Sequence, residues 1–137
     1  MTMKKIYLTL TVTFIAVFVF NISSVFAQDD ATKVVPYLCK TWQTEQVSLN
    51  GKNLDPQDIT EIVVTFNEDG TYKYWEENEP EDGVWILENN GTRIVFDKGT
   101  SDEMFYEILL LEAAKLQVKF SYEKKSYTYT FKPKQNQ

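Results

Sequence analysis

The sequence predicts an all-β domain closed as an eight-stranded antiparallel up-and-down barrel, with a β-sandwich as the alternative. Three observations lead there. After residue 40 apolar and polar residues alternate at a period of two, and no sustained 3.6-residue period appears. Turn-forming residues interrupt the pattern at short intervals. Every connection is short enough to join antiparallel neighbours and too short for a helical crossover. Eight such strands, each with one apolar face, remove their open edges best by closing on themselves. Periodicity does not encode pairing order, so Greek-key crossings between two sheets stay open at this point.

In chain order, residues 1–27 read as an address. Lys4 and Lys5 form a basic start, Ile6 to Phe20 an apolar run, and Val25 and Ala27 the small-residue positions of a cleavage site after Ala27. The apolar run falls short of the roughly 20 residues that cross a bilayer as a helix. No Cys follows it for lipid attachment, since Cys39 lies well downstream. The expectation is an exported protein, periplasmic or extracellular and not membrane-spanning, whose mature domain is residues 28–137. Cleavage would remove two lysines and no acidic side chain, taking the net charge from −6 to −8.

Residues 31–38 allow one short helical turn to plug an end of the core, with Pro36 against anything longer. The first strand runs from Thr41 to Leu49 and stops at Asn50-Gly51. The second is Glu61 to Phe66, with Ile62, Val64 and Phe66 on one face. Asn67 to Gly70 makes a tight hairpin turn. The third strand, Thr71 to Glu76, alternates Tyr72 and Tyr74 against Lys73 and Trp75. The acidic segment Glu76 to Asp82 reads as a solvated loop, because its charges repel one another and Pro80 limits how it could wrap a cation. The fourth strand is Gly83 to Glu88, and Asn89-Asn90-Gly91 is a second hairpin turn, which also accounts for the formal glycosylation sequon at Asn90. The fifth strand is Thr92 to Phe96, the sixth Met104 to Leu111, the seventh Leu116 to Tyr122 and the eighth Tyr127 to Lys132.

One inward face per strand gives a predicted interior of Trp42, Ile62, Val64, Phe66, Tyr72, Tyr74, Trp85, Leu87, Ile94, Phe96, Tyr106, Ile108, Leu110, Leu116, Val118, Phe120, Tyr127, Tyr129 and Phe131. Buried tyrosines bring hydroxyls that need partners. An eight-stranded barrel is either filled by its side chains or holds one small ligand. Converging hydroxyls would suit a ligand with an apolar body and a few polar groups. The candidate ligand-binding residues are Tyr72, Tyr74, Trp85, Tyr106 and Tyr129. A one-residue slip in any strand would turn its members outward. Trp75, Phe105 and the doubly apolar sixth strand point instead to an outer surface for a protein partner or a weak homodimer.

Leu38-Cys-Lys-Thr-Trp42, Val64-Thr-Phe-Asn-Glu-Asp-Gly-Thr-Tyr72, Gly83-Val-Trp-Ile-Leu87, Ile108 to Leu111 and Leu116-Gln-Val118 together resemble the lipocalin-like domain family of exported Bacteroidetes proteins. The resemblance spans residues 38 to 132. One position departs: Lys40 stands two residues before the first Trp, where the family often has Gly. The resemblance implies a β-barrel and an extracytoplasmic setting, and it implies no reaction.

Several chemistries are excluded or demoted. There is no His, so the usual general base, the Ser-His and Cys-His pairs and the commonest transition-metal ligand are missing. One Cys without His makes no zinc site, and the five Gly form no phosphate loop. An acidic surface repels nucleic-acid backbones. Cys39 reads as a buried free thiol, with an intermolecular disulfide as the alternative. The sequence therefore predicts a non-catalytic protein without a cofactor. It would bind a small apolar or amphipathic ligand in the barrel; an interaction or inhibitor module without an internal ligand is the alternative.

Overall fold

The structure is a computed structural model and describes residues 32–135; the expected leader, residues 1–27, lies outside the described residues. Nine strands follow a helical stretch at residues 32–38. They are β1 (Thr41–Leu49), β2 (Lys52–Asn53), β3 (Ile62–Phe66), β4 (Thr71–Glu76), β5 (Glu79–Glu88), β6 (Arg93–Phe96), β7 (Met104–Glu112), β8 (Lys115–Tyr122) and β9 (Lys125–Pro133). Sequential neighbours pair antiparallel in the order β2-β1-β3-β4-β5-β6-β7-β8-β9, and β9 pairs back onto β1. The start of β1 holds β3 on one side, while Trp42 to Leu49 hold β9 on the other. That seam closes an eight-stranded barrel, with β2 a two-residue flap on the end of β1, and it removes the sandwich alternative.

Tight turns set the registers. Asn50-Gly51, Glu77-Asn78 and Glu123-Lys124 each place both central residues at positive φ. This is the backbone hand that matches the twist of the flanking strands. The middle turn corrects the expected loop at Glu76 to Asp82. β5 already begins at Glu79, and Glu79 to Asp82 pair residue by residue with Glu76 to Lys73. All four side chains are exposed, so no apolar alternation marks the strand. Partner strand and turn geometry override its weak local propensity.

Two bulges decide what faces inward. In β7 the register shifts between Ile108 and Leu110. The extra residue turns Leu109 and Leu110 outward, and Leu111 takes the inward place beside the core. The expected inward Leu110 is thereby corrected. In β1 a shift between Thr44 and Gln46 lets Trp42 and Val47 both be buried, although they are five residues apart. Val47 and Leu38 are core residues that strict alternation does not reveal.

One end of the barrel is closed. Leu38 is fully buried there, and Val34, Val35 and Cys39 pack against the core. Trp42 Nε1 donates to the Leu38 carbonyl at 2.9 Å. Lys40, at the departing position, lays its ammonium over the Trp42 ring, 5.1 Å from the centroid, and donates to the Ala113 carbonyl at 2.8 Å. The position thus supplies a cation over the ring of a fully buried Trp42, which a Gly could not. Burial, then the charge of Glu68, pushes the Cys39 thiol up. The thiolate that would attack or oxidise is correspondingly disfavoured.

Candidate functional site

The other end is open. A cavity of about 400 Å³ enters there, lined by Thr60, Ile62, Tyr72, Tyr74, Glu76, Glu81, Phe96, Met104, Tyr106, Phe120, Tyr122, Tyr127 and Tyr129. Its polar side follows from the pleat: Tyr72, Tyr74 and Glu76 share the inward face of β4 at a period of two. Antiparallel pairing sets Gly83 opposite Tyr72 and Glu81 opposite Tyr74. β7, β8 and β9 supply the aromatic wall. Tyr106, Phe120, Tyr127 and Tyr129 form a run of stacked rings with centroids 5.0 to 5.5 Å from Phe120. Phe96 meets Tyr72 and Tyr106 edge to face at 5.0 and 4.8 Å.

Each tyrosine hydroxyl has its own situation. Tyr72 Oη donates to Asp97 Oδ2 at 2.6 Å, while Asp97 Oδ1 accepts from the Val84 N–H at 3.0 Å. A Cβ on Gly83 would run into the Asp97 carboxylate and the Tyr72 ring, so this latch needs glycine. Tyr74 Oη donates to Glu76 Oε2 at 3.1 Å, and Tyr129 Oη to the Thr60 carbonyl at 3.4 Å. Tyr106 is only 2% exposed, and its hydroxyl makes no hydrogen bond among the described residues. Burial is the largest cause raising the pKa of all four. The bond to Asp97 adds to it at Tyr72, and the charge of Glu76 adds at Tyr74, Tyr106 and Tyr129. Tyr129 is pushed up to about 12. All four are therefore neutral hydrogen-bonding groups at physiological pH.

Four of the five candidate residues, Tyr72, Tyr74, Tyr106 and Tyr129, come together around this cavity. Trp85 does not line it. It sits further along β5 toward the closed end, where its Nε1 donates to the Asn67 carbonyl at 3.1 Å and its ring meets Phe66 edge-on at 5.5 Å. The inward face was right for Trp85, but depth along the barrel separates it from the others. Sequence reasoning missed Glu76 and Glu81. The spacing Tyr72-x-Tyr74-x-Glu76 carries the signal for Glu76, whereas Glu81 needs the β4–β5 register.

Among the described residues no group of three or more His, Cys, Asp or Glu is placed to hold a metal ion. No helix there is long and apolar enough to cross a membrane. No family model matches the chain, and no curated protein does. Among solved structures the chain is similar to a lipocalin-like protein from Bacteroides uniformis ATCC 8492, with 14% identity and a TM-score of 0.48, covering 71% of this chain and 98% of that one. The class defined by the chain's own topology is the closed eight-stranded antiparallel barrel with one open and one plugged end.

Proposed function

We propose that the protein is an extracytoplasmic, non-catalytic, lipocalin-like binding protein of the kind exported by Bacteroidetes, and that it takes a small amphipathic molecule into the barrel. The carrying observation is the open-ended cavity of about 400 Å³, walled by aromatic rings and holding the unpartnered Tyr106 hydroxyl. That volume lies in the range of small-molecule sites, and apolar walls with a few fixed polar groups are their usual make-up. Export rests on the pattern of residues 1–27. The test is to express the full chain with its own leader in a Gram-negative host and record native mass spectra of the product before and after denaturation. The reading expects cleavage after Ala27 and an added mass lost on denaturing. An uncleaved chain retained in the membrane would remove the export reading. Failure of the purified protein to bind any member of a small apolar and amphipathic ligand panel would remove the binding reading.

A second reading, a protein-interaction or inhibitor module, has its own observation. On the outer faces of β5 and β7, Val84, Ile86, Phe105, Leu109 and Leu110 are exposed. The Arg93 guanidinium lies 4.4 Å over the Phe105 ring, and Trp75 is half-buried on the neighbouring outer face. Sedimentation velocity separates the readings. A concentration-dependent dimer abolished by Phe105→Ser supports the outer face, and a monomer at all concentrations counts against self-association.

A further inference from the structure

We propose that the cavity selects a cationic amphiphile, its ammonium group meeting Glu76 and Glu81 and its apolar body lying against Phe96 and Phe120. This deepens the proposed binding role and rests on it.

The lining holds two carboxylates and no Lys or Arg. An anionic amphiphile would find no counter-charge there and would face Glu76 and Glu81 as like charges. A cation meets the opposite situation, and the net charge of −6 favours its approach. Glu76 is exposed at the cavity, where Tyr74 Oη donates to one of its oxygens at 3.1 Å and leaves the other free to accept.

Independently of the carboxylates, Tyr106 calls for a polar occupant. The residue is 2% exposed, it lines the cavity, and its oxygen has no protein partner among the described residues. Among the described residues the enclosed side-chain polar atom without a partner is Arg93 Nε and not the Tyr106 oxygen, so this hydroxyl is reached from the cavity and open to an occupant there. Tyr106 shares the lining of the cavity with Tyr129, Glu76 and Tyr72. A primary ammonium carries three N–H donors, which the carboxylate oxygens accept; the Tyr106 oxygen offers a further lone pair, and its O–H is free for a second polar group of the same occupant. The rest of the wall is aromatic, and aromatic faces attract cations.

The test uses three probes with one apolar body: phenylbutylamine, phenylbutanol and phenylbutyrate. Their affinities for the purified protein are measured by calorimetry at neutral pH and low salt. The expected order is amine, then alcohol, then carboxylate. The amine should bind on the order of tenfold tighter than the alcohol, the scale of one hydrogen bond to a charged group. The double variant Glu76→Gln/Glu81→Gln should bring the amine down to the alcohol and leave the alcohol unchanged. Both side chains are exposed, so the variant keeps its fold. An alcohol that binds as tightly as the amine overturns this inference and leaves the binding role standing. So does an amine preference that survives the double variant. No binding by any of the three overturns both.

Discussion

Replacing Gly83 with alanine sets two effects against each other. Gly83 has an ordinary φ, so alanine fits its backbone and would by itself stabilise the fold by about 0.4–1 kcal/mol through the unfolded chain. Against that, its Cβ would overlap the Asp97 carboxylate, with the Tyr72 ring a further 2.9 Å neighbour. Overpacking of this kind costs about 1–3 kcal/mol. Moving the carboxylate also gives up the 2.6 Å bond from Tyr72 and the 3.0 Å bond from the Val84 N–H. A bond to a charged group is worth about 1.5–3 kcal/mol. The clash wins, and Gly83→Ala should destabilise by about 2–4 kcal/mol. For a domain of this size that lowers Tm by roughly 10–20 °C. Thermal and urea unfolding followed by circular dichroism measure it. The double variant Gly83→Ala/Asp97→Gly should recover part of the loss, because it removes the obstructing group; the summed single effects should exceed the double effect. If Gly83→Ala melts at or above the parent, the reasoning from the latch is wrong.

Three further outcomes are expected. Leu110→Ser should change stability by no more than about 0.5 kcal/mol, whereas Leu111→Ala should cost about 1–3 kcal/mol, because the β7 bulge turns the first outward and the second inward; urea titrations giving the reverse order would show the bulge to be misplaced. Tyr106→Phe should leave the unfolding midpoint unchanged or slightly raised, since the hydroxyl has no protein partner to lose, and a Tm lower than the parent's by roughly 4 °C or more, the scale of about 1 kcal/mol, would reveal a partner. Tyr72, Tyr74, Tyr106 and Tyr129 all ionise less readily folded than unfolded, chiefly through burial. Their contribution to stability is therefore fully present below pH 10.0, the unfolded value, and is lost as pH rises through the folded values, about 12 for Tyr129. Absorbance titration with parallel circular dichroism checks this, and complete tyrosine ionisation by about pH 11 with the barrel intact contradicts the burial seen here.

Most of the architecture was legible because period-2 alternation and Asn-Gly turns are local signals. Ile62-x-Val64-x-Phe66 and Tyr72-x-Tyr74 name their inward faces without reference to any partner strand. Leu110 was misread because a bulge depends on the pairing of β7 with β8, and the run Ile108 to Leu111 is apolar at every position. The start of β5 was missed for the converse reason: Glu79 to Asp82 are polar on both faces, and the Glu77-Asn78 turn carries a weaker sequence signal than Asn-Gly.

The candidate site divides along the same line. The sequence by itself determined the eight main strands, the faces of Tyr72, Tyr74, Tyr106 and Tyr129, and the absence of histidine chemistry. These follow from residue type and local spacing. Only the tertiary structure decided which inward residues share a depth in the barrel. Closure of β9 onto β1 and the strand registers bring four tyrosines, Glu76 and Glu81 to the open end and leave Trp85 toward the closed end. Periodicity fixes direction perpendicular to a strand, but height along the barrel is set by pairing between strands distant in sequence.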